Sequence, residues 1–264
     1  MSGWVGNPLA ISLQGQLSSS SCLASNRTVS LERNSVHVWF ATFSAMSPAL
    51  ECFTSTLDST ESLRMSRFVY EHLRVRFAQA HGLLRLLLSR YADCSPRELV
   101  FSQGTHGKPS LVNAKGLSFS LSHSGDGVAI AIARDIDIGI DIEEIKPIED
   151  RDGLVERFFS PDEFSCYKHL PPSMQESAFF RLWTRKEAFV KGLGLGLSHP
   201  LDSFSVGVDV PVSLAGRDTS QWSLHHLETG SGFVGALAVR SHEASLSGGT
   251  LQLSPKNLSG NLIS

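Results

Sequence analysis

Three carboxylates and one lysine of this sequence have the types and spacing needed to bind a metal ion together with phosphate. Asp141 and Glu143 lie two residues apart in the run 139–143, which alternates apolar and polar residues. This alternation predicts a half-buried strand with both acids on one face. Glu187 and Lys191 lie four residues apart in a predicted helix and share one stripe of it. Because Mg²⁺ prefers oxygen ligands, the pattern predicts phosphoryl-group chemistry.

Each part of this pattern also has an ordinary structural interpretation. An Asp-x-Glu pair can be the exposed face of a strand, and Glu187 with Lys191 can be a surface pair that contributes roughly a few tenths of a kcal/mol. The glycine and isoleucines beside the two acids of 139–143 place them within a strand, where carboxylates are uncommon unless they have a role. The combination favours a functional site.

A polar turn, Ser120–Gly125, follows another predicted strand. Its hydroxyl groups, its histidine and its glycine are suited to contact phosphate, although His123 alone can be a buried structural histidine. The G-x-S-x-G spacing of a serine hydrolase is absent. The glycine-rich run 192–196 follows a helix, so we predict that it ends the helix and does not bind a dinucleotide.

Composition sets broader limits. The chain has 264 residues, 41% of them hydrophobic, and a formal charge of −3, which is enough for one large domain or two small ones and argues against a general nucleic-acid binder. Its four cysteines are scattered, without a CxxC pair or zinc spacing, and are expected to be reduced thiols in a cytoplasmic protein. No apolar run approaches the roughly 18 residues of a membrane span.

The periodicity of apolar residues predicts an α+β fold. Strands are expected at 36–40, 99–101, 117–120, 128–133 and 136–142, with the last two forming a hairpin around Arg134-Asp135, and later at 204–208, 222–227 and 235–239. Helices are expected at about 60–91, 152–159, 161–169 and 175–191.

The two halves of the chain echo each other. The repeated pairs are Arg67-Phe68 and Arg157-Phe158, followed by Arg85-Leu86 and Arg181-Leu182. This echo predicts two similar α/β lobes, 36–135 and 136–242, with a ligand cleft between them. A mobile extension (1–35) and a loose tail (243–264) are expected outside the lobes. The first lobe is rich in arginine and the stretch 135–152 is acidic, so a phosphorylated ligand with magnesium would use both sides.

These motifs, in their order, resemble those of the Sfp-type 4′-phosphopantetheinyl transferases. Members of that family move phosphopantetheine from coenzyme A to a serine of a carrier protein. The resemblance covers roughly residues 36–240 and rests on Gly104–Pro109, Phe119–Ser124, Gly139–Glu143, Phe158–Ser160 and Trp183–Lys191. It implies a pseudo-dimeric two-lobed fold with the active site in the cleft, a monomer, and neither nucleic acid nor membrane as a partner.

The resemblance also implies a role for each matching residue. The implied magnesium ligands are Asp141, Glu143 and Glu187. The implied catalytic residues are Asp141, Glu187 and Lys191, of which Lys191 also meets the pyrophosphate of coenzyme A. The implied coenzyme A contacts are Arg64, Arg67, Arg76, Gly107, Lys108, Pro109, Ser122 and His123. The base that takes the proton of the carrier serine is either Glu187 or a water held by Glu143.

Three questions stay open in the sequence. Carrier proteins are acidic helical bundles, so docking is expected near Phe158–Phe164 and Phe179-Phe180, unless these phenylalanines fill the core. A coenzyme A or carrier-protein binding module without turnover, and a magnesium-dependent nucleotide pyrophosphohydrolase, are the alternative functions. The carrier protein itself, of fatty-acid, polyketide or nonribosomal-peptide type, is not specified.

Overall fold

Two four-stranded sheets, each packed against a 22-residue helix, form the framework of the protein. The computed structural model describes residues 11–12, 28–114, 116–208, 212–229 and 232–250. In chain order the elements are β1 (Ile11–Ser12), β2 (Ser35–Thr42), α1 (Phe43–Met46), α2 (Leu50–Thr56), α3 (Ser59–Ser66), α4 (Glu71–Ala92), β3 (Phe101–Gln103), β4 (Pro109–Leu111), β5 (Leu117–Ser124), β6 (Gly127–Arg134), β7 (Ile138–Glu144), α5 (Arg151–Phe158), α6 (Pro161–His169), α7 (Pro172–Leu193), β8 (Phe204–Ser205), β9 (Ala215–Gly216), β10 (Ser223–Glu228), β11 (Phe233–Val239) and β12 (Ser245–Thr250).

The two sheets have the same pattern of pairing. The first sheet has the strand order β12-β2-β6-β5, and the second has the order β1-β10-β11-β7. In each sheet three strands are antiparallel, and the fourth pairs in parallel at an edge. The parallel strand of the first sheet is β12, which corrects the expectation that the tail from 243 is loose as a whole. Residues 251–264, and 1–35 apart from 11–12 and 28–35, lie outside the described ranges.

Three layers of apolar side chains hold these elements together. Helix α4 packs on the first sheet through residues at helical spacing, and α7 packs on the second sheet in the same way. A third cluster lies between the sheets and joins alternate residues of β2 and β6 to Ile138, Ile140 and Ile142 of β7. The apolar residues that recur at helical spacing along α4 are buried, namely Phe77, Ala80, Leu83, Leu84, Leu87 and Leu88. The alternation of β7 therefore buries isoleucine on one face and leaves the acids on the other.

The structure divides the single helix predicted at 60–91. Helix α3 begins with a capping box of Asp58 and Glu61 and ends at Ser66, and α4 starts only at Glu71. Between them Phe68 turns inward and packs on Phe77, with ring centroids 5.5 Å apart. This tertiary contact overrides the local helical periodicity.

The hairpin predicted around Arg134-Asp135 is wrong. Strand β6 pairs with β5 on one edge and β2 on the other, so no edge remains for β7, which pairs with β11 instead. Asp135 adopts the left-handed conformation (φ 60°) and its N–H donates to the carbonyl of Gly116. The chain therefore leaves the first sheet at Asp135 and enters the second.

Two further findings concern the described residues. No helix among them has the length and apolar character that crossing a membrane requires. Cys52, Cys94 and Cys166 are free thiols, in line with the sequence, and Cys22 lies outside the described ranges.

Candidate active site

Strand β7 and helix α7 approach each other closely at a glycine. A Cβ atom on Gly139 would lie 2.1 Å from the carbonyl oxygen of Ala188 and 2.2 Å from the nitrogen of Gly192, so only glycine permits this packing. As a result Lys191 Nζ of the helix lies 2.6 Å from Asp141 Oδ1 of the strand. The structure thus brings together two residues that are fifty positions apart in the sequence.

Asp141 is the buried centre of this group. The residue is 3% exposed, and its Oδ1 accepts hydrogen bonds from Lys191 and from the Ser122 hydroxyl (2.8 Å). Its Oδ2 is buried and accepts no hydrogen bond from any described residue. Burial raises the pKa of Asp141, and Lys191 and Ser122 oppose that rise. A buried carboxylate oxygen without a partner is a group that a cation would satisfy.

Glu143 and Glu187 lie in the electrostatic field of Asp141. Burial is the main cause that raises the pKa of each glutamate, and the negative charge of Asp141 raises both further. Glu143 accepts a hydrogen bond from Ser124, and Glu187 lines a cavity. Such mutual repulsion among carboxylates favours binding of a divalent cation between them.

The carboxylates form an open site. Within the described ranges, no group of three His, Cys, Asp or Glu side chains is arranged to hold a metal ion by itself. Mg²⁺ is usually bound through one or two carboxylates, with waters and substrate phosphate completing its shell. The unpartnered Asp141 Oδ2 and the repelling glutamates therefore fit magnesium bound together with a phosphorylated ligand.

A cavity of about 580 Å³ lies beside this group. The turn 107–109, Glu187 and Lys191 line it. Its apolar lining includes Phe119 and Leu121 of β5 and Phe158 at the end of α5. The cavity is therefore shared between residues before and after position 135 of the chain.

Lys108 has a contact that the sequence did not predict. Its Nζ donates to the carbonyl oxygens of Gly192 (2.6 Å) and Ile138 (3.2 Å), and burial lowers the pKa of its ammonium group. The side chain therefore ties the turn 107–109 to the carboxyl end of α7. Lys108 also lines the cavity, and its contact with coenzyme A stays a prediction.

His123 and Arg76 share an aromatic neighbour. The His123 ring meets Phe43 edge-on at 5.9 Å, and the Arg76 guanidinium lies 5.4 Å from the same ring centre. Partial burial, followed by the positive charges of Lys191, His81 and Arg76, lowers the pKa of His123. This concentration of positive charge suits an anionic ligand.

The other two predicted arginines lie farther along the same surface. Arg64 lies over the ring of Phe77, at 5.3 Å from its centre, and Arg67 is exposed at the end of α3. None of Arg64, Arg67, Arg76 and His123 lines the 580 Å³ cavity. Among the other predicted residues, Gly107, Lys108, Pro109, Glu187 and Lys191 line the cavity, whereas Ser122, Asp141 and Glu143 do not. We refer to Arg64, Arg67, Arg76 and His123 as the arginine–histidine group.

Two family models match this chain, one on each side of its middle. Residues 137–238 match the 4′-phosphopantetheinyl transferase superfamily, and residues 41–135 match the N-terminal region of 4′-phosphopantetheinyl transferase. The 4′-phosphopantetheinyl transferase HetI of Nostoc sp. (strain PCC 7120) is 34% identical over 215 residues, which cover 80% of this chain and 90% of HetI. The chain belongs to the 4′-phosphopantetheinyl transferase family.

Further relatives agree with this assignment. The 4′-phosphopantetheinyl transferase Sfp of Bacillus subtilis (strain 168) is 36% identical over 156 residues, 59% of this chain and 68% of Sfp. A holo-(acyl-carrier-protein) synthase of Bacillus anthracis, solved in complex with CoA (3′,5′-ADP), is 27% identical over 39% of this chain and 95% of that protein, with a TM-score of 0.32. The family resemblance and the enzyme class predicted from the motifs are confirmed.

The surface expected to dock a carrier protein is largely core in this transferase. Phe159, Phe179 and Phe180 are only 2–3% exposed and belong to the apolar cluster under α7. Phe158 and Phe164 are half-buried against the same cluster. The large apolar side chains that are exposed in the described ranges lie elsewhere, at Leu63, Val69, Tyr70, Leu73, Val100, Val112 and Met174.

The hydroxyl groups of β5 contact the acids of β7. Ser122, an implied coenzyme A contact, donates its hydroxyl to Asp141 and accepts from Lys191 Nζ (3.0 Å) and from the backbone of β7. Ser124 was not predicted as a site residue, although it donates to Glu143. The signal for both roles was present in the sequence, because Ser120, Ser122 and Ser124 alternate along one strand face.

Proposed function

We propose that this transferase moves 4′-phosphopantetheine from coenzyme A to a serine of an apo acyl or peptidyl carrier protein in a magnesium-dependent reaction. The products are the holo carrier protein and adenosine 3′,5′-bisphosphate. The observation that carries the proposal is the contact of Lys191 with Asp141, with Glu187 beside them at the cavity wall. This arrangement combines an ammonium group for phosphate with carboxylates for the metal.

The two halves act as a pseudo-dimer in this proposal. Each half contributes three strands of one sheet and a 22-residue helix, and residues from both halves line the cavity. The fourth strands, β12 and β1, come from residues 245–250 and 11–12. Because one chain supplies both halves of the site, we propose that the enzyme works as a monomer, with its active site in the cleft between lobes 36–135 and 136–242.

Coenzyme A is proposed to bind across both halves. Its nucleotide end carries several phosphate charges, and these suit the arginine–histidine group of Arg64, Arg67, Arg76 and His123. Its adenine is proposed to lie against the turn 107–109, which lines the cavity. The pyrophosphate then falls near Lys191.

Magnesium is proposed to be held by Asp141, Glu143 and Glu187. The fit rests on the unpartnered Asp141 Oδ2 and on the shared negative charge of the three acids. When bound, the ion would neutralise the charge that develops on the pyrophosphate. Before coenzyme A and the ion bind, Lys191 neutralises part of the acidic charge.

The chemical step is a phosphoryl-type transfer. The carrier serine oxygen forms a bond to the phosphorus on the pantetheine side, while the bond from that phosphorus to the bridging oxygen of the departing bisphosphate breaks. We propose that the serine proton passes either to Glu187, at the cavity wall, or to a water held by Glu143. Lys191 holds the pyrophosphate in line.

Intact-mass spectrometry of an apo carrier protein tests this function. The carrier is incubated with the transferase and coenzyme A, with magnesium or with EDTA, and with a carrier whose acceptor serine is changed to alanine as the control. A mass gain of one phosphopantetheine that needs magnesium and the acceptor serine is expected. Coenzyme A hydrolysis without a mass gain would indicate a pyrophosphohydrolase, and binding without either reaction would indicate a module without turnover.

A further inference from the structure

The edges of the two sheets face each other along β5 and β7, and side chains rather than backbone groups join them. Alternate serines of β5 each accept a hydrogen bond from a backbone N–H of β7. These contacts are Ile140 N to Ser120 Oγ (3.1 Å), Ile142 N to Ser122 Oγ (3.3 Å) and Glu144 N to Ser124 Oγ (3.1 Å). We refer to Ser120, Ser122 and Ser124 as the serine ladder.

The serine ladder satisfies backbone N–H groups at the edge of the second sheet. Strand β7 is the last strand of its sheet, so its outer N–H groups lack strand partners, and buried N–H groups must be satisfied. Each N–H donor is twenty residues after the serine that accepts from it, so β5 runs parallel to β7. Because side chains alternate along a strand, one serine hydroxyl lies opposite every second N–H of β7. The ladder therefore fixes the register between the halves.

Two of the three hydroxyls have a second partner. A hydroxyl that accepts from an N–H still has its own proton to donate. Ser122 donates it to Asp141 and Ser124 donates it to Glu143. At Ser120 the matching position of β7 is Gly139, which has no side chain to accept it.

The second contact determines which carboxylate oxygen faces the metal site. Ser122 and Lys191 both use Asp141 Oδ1, and Oδ2 is left without a protein partner. Ser124 likewise engages Glu143 Oε2 and limits the rotation of that carboxylate. Fixed carboxylates bind a metal with less loss of side-chain entropy.

We propose that Ser122 and Ser124 are positioning residues for the metal site and that they couple the register of the two halves to the orientation of Asp141 and Glu143. Ser120 holds the register alone. The proposal rests on the proposed magnesium-dependent function. It adds Ser124 to the site, and it gives Ser122, an implied coenzyme A contact, a second role toward the metal ligand Asp141.

The three alanine variants Ser120→Ala, Ser122→Ala and Ser124→Ala test the proposal, because they remove the same backbone contact. Thermal unfolding without metal should show a loss of about 3–8 °C in Tm for each, with Ser120→Ala at the low end because it loses the backbone contact alone. Calorimetric titration of coenzyme A at increasing magnesium gives the concentration for half-maximal enhancement of binding. We expect that concentration to rise about 10-fold or more in Ser122→Ala and Ser124→Ala and to stay unchanged in Ser120→Ala.

Restoring the hydroxyl supplies the second control. Ser124→Thr keeps the hydroxyl and should return the magnesium requirement toward that of the unaltered protein. This variant also serves if an alanine variant does not fold.

Two results would overturn the proposal, and they are distinguishable. A normal magnesium requirement in Ser122→Ala and Ser124→Ala, or an equal rise in Ser120→Ala, rejects the positioning role while leaving the proposed function intact. Coenzyme A binding by the unaltered protein that ignores magnesium rejects the proposed function and the positioning role together.

Discussion

The two long helices of this transferase, α4 and α7, carry a buried cation at the same position but differ in the residues that follow it. Arg85 of α4 and Lys186 of α7 lie at the same position of their 22-residue helices, and both are fully buried. Each pairs with the N3 glutamate of the capping box that begins α3 or α6, Glu61 or Glu163. Each also donates to backbone carbonyls beyond its helix.

The difference begins at the next residue of the helix. After Lys186, α7 carries Glu187 at the cavity, whereas Leu86 follows Arg85 and fills the core of the first half. The edge strands differ in the same sense, because β7 presents acids where β5 presents serines. Both halves therefore repeat the buried pair of a cation with a capping-box glutamate. The carboxylates of the proposed metal site, Asp141, Glu143 and Glu187, all belong to the second half.

Removing the buried cation of the second half should have the largest effect on stability. Glu163 is 3% exposed and would lose the Lys186 ammonium, 2.7 Å away. Lys186→Met should therefore lower the free energy of unfolding by about 3–5 kcal/mol in urea titration. Arg85→Met should cost less, because its partner Asp58 is one-third exposed and reaches solvent.

The matched control is the exposed pair of Lys168 with Asp152. Lys168→Met should change the free energy of unfolding by less than about 1 kcal/mol. Equal losses for Lys186→Met and Lys168→Met would contradict the stabilising role of the buried Lys186–Glu163 pair.

Substituting the acids should separate activity from stability. Asp141→Asn or Glu187→Gln should lower the rate of carrier modification more than about 100-fold, because each removes a proposed metal ligand. The free energy of unfolding should not fall to match, since burial disfavours the charged form of both acids. Glu156→Gln, an exposed acid on α5, serves as the control and should keep full activity. If these variants lost unfolding free energy but kept the rate of carrier modification, the two acids would have a structural role only.

Adding a side chain at Gly139, between β7 and α7, should have an intermediate effect on stability and activity. A Cβ on Gly139 meets the backbone of α7, so Gly139→Ala should cost about 1–3 kcal/mol and separate Lys191 from Asp141. Gly104→Ala is the control, since its Cβ would lie 3.5 Å from the nearest atom. Urea titration and the carrier assay together measure both effects, and a Gly139→Ala protein with normal activity would show that this close approach is not needed.

The two halves should also differ slightly in their response to acid. Burial lowers the pKa of His225 and His226 on β10 to about 4. Between pH 6.5 and about 4 the unfolded chain binds more protons at these residues than the native state, so they should lower stability as pH falls. The double variant H225Q/H226Q should lose less stability than the unaltered protein between pH 7 and 5. If the difference in unfolding free energy between the double variant and the unaltered protein did not change with pH, the lowered pKa values of the two histidines would be contradicted.

Local pattern predicted much of the fold and part of the site. The apolar periodicity of α4 and the alternation of β7 were sufficient, because each element buries one face. The wrong hairpin at Arg134-Asp135 arose because pairing of β7 with β11 depends on residues about a hundred positions away. The direction of Lys108, toward two carbonyls, was equally non-local.

Burial of the phenylalanines could not be predicted for a similar reason. Aromatic residues suit both a docking surface and a core, and only the packing of α7 on its sheet assigns Phe179 and Phe180 to the core. The repeat also needed correction, since Arg85 corresponds by helix position to Lys186 and not to Arg181.

The most direct test of the central claim is calorimetric titration of coenzyme A into the unaltered protein, Arg76→Gln and Asp141→Asn, each with and without magnesium. If both halves bind the same coenzyme A molecule, Arg76→Gln should weaken coenzyme A binding both with and without magnesium. Asp141→Asn should remove only the enhancement of binding by magnesium. Undiminished enhancement by magnesium in Asp141→Asn, or unaltered binding in Arg76→Gln, would contradict a single site shared by the two halves.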